Sequence, residues 1–138
     1  MIGISIGNSR REKFWKYEEM PIDDFVKLIS TTRRTAETQA QYNNMSKSER
    51  DNIKDVGGFV LGKLKDNRRR KDCVISRSGL TLDMDFATQT TMEEVELLSY
   101  YKCYFYSTHK HTKEKPRLRL IIPLSRNVSA DEYSEIGR

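Results

Sequence analysis

The stretch Leu80-Thr-Leu-Asp83-Met-Asp85-Phe86, with Tyr104-Phe-Tyr-Ser107-Thr108-His109-Lys110-His111 and Arg117-Leu-Arg119-Leu-Ile-Ile-Pro-Leu124 after it, decides how this chain is read. Two acids sit at i and i+2 in one apolar strand. Two histidines with the same spacing follow a second, and arginines alternate along a third. Alternate side chains of a strand share a face. Asp83 and Asp85 should therefore point the same way, with Leu82, Met84 and Phe86 filling the core. Like charges so placed repel unless a cation lies between them, and hard divalent ions prefer carboxylate oxygen. A solvent-facing edge strand with two harmless acids would account for the pair equally well. The neighbouring strands favour a site for metal and phosphate. Ser107, Thr108, His109 and His111 can hydrogen-bond phosphate oxygens, Lys110, Lys113 and Lys115 add charge, and Arg117 and Arg119 carry forks that suit phosphate better than lysine does.

Working outward, Ile2, Ile4 and Ile6 alternate with small residues and predict a strand ending at Gly7-Asn8. Trp15 and Tyr17 are read as cover for a core edge, with base stacking as the other use of such rings. Pro21 opens a helix with Ile22, Phe25, Val26, Leu28 and Ile29 on one face. Thr35 to Tyr42 is polar and helix-compatible. Three capping boxes, Ser46 to Glu49, Thr91 to Glu94 and Ser129 to Glu132, each start a helix. The second should bury Val95, Leu97 and Leu98, and the third carries Tyr133 and Ile136. Gly57-Gly58 breaks the chain before a strand over Phe59–Leu64, and Asn67 to Lys71 is a turn or hairpin tip. Cys73 to Ile75 resumes extended structure, Cys103 to Tyr106 is a strand, and Arg117 to Ile122 is another.

The order strand, helix, strand, hairpin, strand, helix predicts an α+β fold. It consists of an αβ extension over 1–79 and an RRM-like mixed sheet over 80–138 that lacks its last strand. The acid strand and the histidine strand are expected as parallel neighbours, which brings the acids and His109 to one edge. The incomplete unit predicts the N-terminal piece of a longer protein.

The chain has 138 residues, enough for one domain, and a formal net charge of +5. No apolar run is long enough to cross a bilayer, and Met1 to Ile6 does not have the pattern of a signal peptide. Cys73 and Cys103 are read as reduced thiols, and the compartment as cytoplasmic. The basic residues cluster at Lys63 to Lys71, with Arg68, Arg69, Arg70 and Lys71 consecutive and Arg77 close behind. Such runs bind polyanions, DNA above all, or are simply solvated turns.

With these residues laid out, the sequence resembles the primase-polymerase domains of the archaeo-eukaryotic primase superfamily. The likeness is to those of phages and mobile elements described as virulence-associated E proteins, found in bacterial hosts. The family's hydrophobic strand with Asp-h-Asp matches Leu82 to Asp85, and its small-x-His matches Ser107-Thr108-His109. The run from Tyr106 to Arg126 looks like this subgroup in detail. Asn8-Ser9-Arg10, Arg34 to Thr38 and Lys54 to Gly58 are also similar to it. The resemblance implies metal-dependent nucleotidyl transfer from a nucleoside triphosphate to a nucleic acid 3′-hydroxyl. Asp83 and Asp85 would hold a two-ion Mg²⁺ or Mn²⁺ site, and His109 with Ser107 would hold the triphosphate. By charge and position, Lys115, Arg117 and Arg119 are assigned to phosphate and Arg77 to nucleic acid, while His111 belongs to the same segment. The implied partners are a DNA template and primer and a fused or associated helicase. The family's third carboxylate has no match before Arg138, and a strand carrying it is expected beyond that residue.

Two other readings remain open. One is a DNA-binding replication module without catalysis. The other is a rolling-circle nuclease that uses His109, His111 and a tyrosine such as Tyr133, although Lys110 is the wrong type of residue between the two histidines.

Overall fold

The structure is a computed structural model and describes residues 1–97 and 100–138. In chain order the strands are β1 (Ile2–Gly7), β2 (Lys16–Met20), β3 (Gly58–Leu64), β4 (Val74–Met84), β5 (Tyr104–Ser107) and β6 (Leu118–Val128). The helices are α1 (Ile22–Ser30), α2 (Gln39–Asn44), α3 (Lys47–Ile53), α4 (Gln89–Leu97) and α5 (Ala130–Ile136). The strands form one six-stranded sheet in the order β2-β1-β3-β4-β6-β5, and every adjacent pair is antiparallel.

The α+β class follows the sequence reading, but the pairing does not. β4 and β5 run in the same direction without being neighbours, because β6 lies between them and pairs with both. A helical crossover joining two strands around an inserted third is the split βαβ arrangement. Strands from both halves of the chain share the sheet, with β3 next to β4. The sequence reading missed β2, whose alternation is hidden by Glu18 and Glu19, and it began β4 too late, at Leu80 instead of Val74.

The core sits where the apolar face of α1 meets the sheet. Ile2, Ile4, Phe25, Leu61 and Ile121 form it, with Leu28, Ile29, Phe59, Tyr104 and Tyr106 packed against them. Phe25 is the only fully buried residue of α1, and it meets Phe59 edge to face at 5.5 Å. Two buried serines knit the curled sheet where regular pairing breaks. Ser5 donates to the Gly62 carbonyl at 2.8 Å and Ser78 to the Gly3 carbonyl at 2.5 Å. Gly62 lies at this break with φ +142°, where a Cβ would collide with the Ser76 carbonyl. Trp15 is 4% exposed and lies on Gly7, which has no side chain to hold it off, so the core-edge reading of this ring holds.

The capping boxes at Ser46 and Ser129 form with both reciprocal bonds. A third forms at Thr38 with Gln41, where the sequence was read only as helix-compatible. The box expected at Thr91 does not start the helix: α4 begins at Gln89, and Thr91 instead accepts from the Thr88 amide through Oγ1 at 2.8 Å. Val95 is buried as expected, whereas Leu97 is 77% exposed, and Leu98 lies outside the described residues. Phe86 is also not a core residue. β4 ends at Met84, so Asp85 and Phe86 are in the turn, and Phe86 is 94% exposed. Both cysteines are free. Among the described residues no helix is long and apolar enough to cross a membrane.

Candidate functional site

Antiparallel pairing brings the ends of β1, β4 and β5 and the starts of β3 and β6 to one rim of the sheet. Residues directly opposite each other across antiparallel strands share a face. Asp83 on β4, Arg119 on β6 and Tyr106 on β5 are such a row. Arg119 Nε donates to Asp83 Oδ1 at 2.6 Å, and Nη1 reaches the Tyr106 hydroxyl at 3.5 Å. Burial draws the Arg119 pKa down, but its bonds to Asp83 and Tyr106 outweigh this and leave it above its usual value. One position before β6, Arg117 pairs with Asp85 at 3.4 Å and lies 5.7 Å from the exposed ring of Phe86.

Each acid therefore has its own arginine. The sequence reading placed a cation between the two carboxylates and left the arginines for phosphate. The structure pairs the two sets directly, because β6 is inserted between the acid strand and the histidine strand. Both pairs are accessible, with Asp83 56% and Asp85 67% exposed. Exposed pairs of this kind contribute about 0–1 kcal/mol each, so an incoming ligand can separate them at little cost. Among the described residues no three His, Cys, Asp or Glu side chains converge as a metal cage. Two carboxylates suit a Mg²⁺-type ion that arrives on phosphate, since such ions are commonly held by one or two carboxylates together with substrate oxygens.

His109 follows β5 at the same rim, and its partners come from a part of the chain that composition did not single out. Its Nε2 lies 3.3 Å from Thr35 Oγ1 and 3.7 Å from Glu37 Oε1, and its ring meets Tyr42 at 4.9 Å. Thr35 donates to Glu37 at 2.5 Å. This bond, a backbone bond and the nearby imidazole hold the Glu37 carboxyl below its usual pKa. The available signal was the Thr38 capping box, which fixes α2 and so delivers Tyr42 to the imidazole. His111 has a structural task instead. Its Nδ1 accepts from the Arg117 amide at 3.2 Å, and Thr108 donates its amide to the Arg117 carbonyl at 2.9 Å. These bonds fold the loop so that Arg117 faces the end of β4.

Ser107 ends β5 exposed, opposite Leu118, and Lys115 lies in the loop, its amide bonded to Thr112 Oγ1. The segments that carry the family likeness converge at this end of the sheet. Asp55 accepts from Ser9 Oγ and from the Arg10 amide, and Arg33 donates to the Val56 carbonyl.

The predicted DNA-binding residues lie at the opposite end, where β3 finishes and β4 starts. Arg68, Arg69 and Arg77 are partly committed to structure: Arg68 sits 5.9 Å from Phe14, Arg69 4.6 Å over Trp15, and Arg77 4.2 Å over Tyr133. Arg70 is held by Asp72 through two bonds. Tyr133 is occupied by Arg77 and the Thr81 backbone.

The sequence matches the family model of the VapE N-terminal domain over residues 1–138. Comparison with curated proteins and with solved structures found no match.

Proposed function

The chain belongs to the VapE N-terminal domain family, a group associated with phages and mobile elements, and on that premise we propose that its rim handles a metal-bound nucleoside triphosphate during DNA replication. The observation that carries this reading is the double pairing Asp83–Arg119 and Asp85–Arg117. The proposed event is an exchange of partners. The two carboxylates would hold the divalent ion, Mg²⁺ or Mn²⁺, and the two guanidinium forks would be freed for the phosphate oxygens. Bound there, the ion would neutralise charge on the transferring phosphate and ease deprotonation of the attacking hydroxyl.

His109, steadied by Tyr42, Thr35 and Glu37, is the candidate for an additional hydrogen bond to the triphosphate, with Ser107 and Lys115 beside it. The reaction this serves is attack of a nucleic acid 3′-hydroxyl on the α-phosphate with release of pyrophosphate, and a helicase is the expected associate. The same pairing supports a second reading, in which the arginines neutralise the acids permanently and the domain binds DNA without catalysis. A rolling-circle mechanism has less support, because His111 holds a backbone amide and Tyr133 holds Arg77.

Calorimetric titration with ATP, with Mg²⁺ and with both decides between the two leading readings. Exchange predicts weak binding of either ligand alone, and binding of the two together that is at least tenfold tighter. The combined variant Asp83→Asn, Asp85→Asn should abolish that gain. Equal binding of Mg²⁺-ATP by this variant and the parent chain would refute the exchange.

A further inference from the structure

At the end of the sheet away from the rim, a cavity of about 260 Å³ is lined by Val60, Leu64, Arg69, Arg70, Lys71, Val74 and Arg77. Three of these residues are aliphatic, four are cationic and none is acidic. The turn carrying the cations is not a loose solvated tip. The Trp15 amide donates to the Asn67 carbonyl at 2.7 Å, the Arg69 amide to the Lys13 carbonyl at 2.9 Å, and Arg69 Nη1 to the Arg10 carbonyl at 3.0 Å. Asp66 and Asn67 both take positive φ to make the bend. These bonds hold the cations in place before any ligand arrives.

Two of the cations have unused donors. Among the described residues Lys71 has no acidic partner within ion-pair distance. Arg77 Nε is buried with no hydrogen-bond partner, although Nη2 of the same fork is bonded to Tyr133 at 3.0 Å. A buried donor left unpaired is costly, and an acceptor that reached it would satisfy it. Arg70 is only half available, because Asp72 holds it.

We propose that this cavity takes a phosphate of single-stranded nucleic acid, with the attached sugar or base edge on the aliphatic floor. The cationic rim alone would suit any polyanion. The choice of a single strand rests on two features. The floor of Val60, Leu64 and Val74 offers nothing to a duplex, which keeps its bases stacked inside. Phe14, on the strip bridged to Arg68, is 59% exposed and offers a face for base stacking. A cationic groove beside exposed aromatics is the usual means of holding single strands. The inference deepens the replication reading by giving the template a place, and it rests on that reading for its biological sense. Its chemistry is separate, since it requires neither metal nor triphosphate.

The test is fluorescence anisotropy of the whole chain with a labelled oligothymidylate of about 12 nucleotides, long enough for one such site, without metal or nucleotide. Lys71→Glu should weaken binding at least about tenfold and reduce the slope of log affinity against log salt by about 1. Phe14→Ala should weaken it about five- to hundredfold, the range that loss of one stacked base gives. A duplex of equal length should bind more weakly and be insensitive to Phe14→Ala. Lys71→Glu should weaken binding by the same factor in the combined Asp83→Asn, Asp85→Asn background as in the parent chain, so a failure of the rim reading leaves this result standing. Unchanged affinity in Lys71→Glu, or equal binding of duplex and single strand, would overturn the assignment.

Discussion

The exchange of partners at the rim requires the Asp83–Arg119 pair to be easily broken, and a double-mutant cycle measures that directly. The variants are Asp83→Asn, Arg119→Gln and the two combined. The pair is short, 2.6 Å, but its side chains are 56% and 34% exposed. Exposed pairs couple by about 0.2–1 kcal/mol. Partial shelter of Arg119 and its second bond to Tyr106 place this pair at the upper end, near 1 kcal/mol. Two such pairs cost about 2 kcal/mol to open, against roughly 4 kcal/mol of binding energy for a ligand of only millimolar affinity. Exchange is therefore affordable even for a weak substrate. Urea unfolding followed by fluorescence reads the coupling cleanly, because Trp15 is the sole tryptophan and is buried. The coupling should shrink in about 1 M salt, where the screening length falls to about 3 Å. A coupling of about 3 kcal/mol or more, unchanged by salt, would mean that the pair is a structural lock and that the rim cannot release its arginines to phosphate.

Two further outcomes concern the frame. Glu132 closes the α5 capping box, and Arg126 together with the Ser129 amide lowers its pKa from 4.5 to about 2. A carboxylate with a depressed folded-state pKa adds stability that is complete above the unfolded value and is lost as pH falls. Unfolding midpoints should therefore drop between about pH 4.5 and 2, and Glu132→Gln should flatten that part of the profile. Gly62→Ala should destabilise the fold by about 2–4 kcal/mol, since a side chain at φ +142° would strike the β4 backbone, and thermal melts compared with the parent chain measure it.

The parts legible in the sequence were those set by local chemistry. The isoleucine alternation of β1, the Pro21 start of α1 and the boxes at Ser46 and Ser129 are decided within a few residues, and they form as read. Strand order depends on distant pairing that no local pattern encodes. The same apolar run from Leu118 to Ile122 would serve at an edge or between β4 and β5, and only the folded sheet reveals the second arrangement. Phe86 misled because alternation was extended two residues past the true end of β4. Thr35, Glu37 and Tyr42 were not assigned as site residues for a related reason. The family likeness of Arg34 to Thr38 and the cap at Thr38 marked the stretch, but its relevance comes from lying beside His109, more than 60 positions away, and no local pattern names that partner. The pairing of acids with arginines was equally hidden, since it follows from the insertion of β6.

That insertion makes the two ends of the sheet electrostatically unlike, and the difference bears on the order of events. At the rim every guanidinium of the acid row already has a carboxylate, so a bare polyanion gains little there and a bare cation must leave two arginines unpaired. A ligand that brings both signs of charge at once, as a metal-bound triphosphate does, re-pairs both sets. At the far end, among the described residues, Asp72 is the one acid paired with a cation of the cavity, and both Lys71 and one donor of Arg77 are without a partner. Attraction of a nucleic acid strand to that end would need no second ligand. β4 runs from one end to the other, and its 11 residues span roughly 35 Å at about 3.3 Å each. On these charges the proposed nucleic acid strand would be captured first at the start of β4, and the proposed triphosphate would be admitted afterwards at its finish.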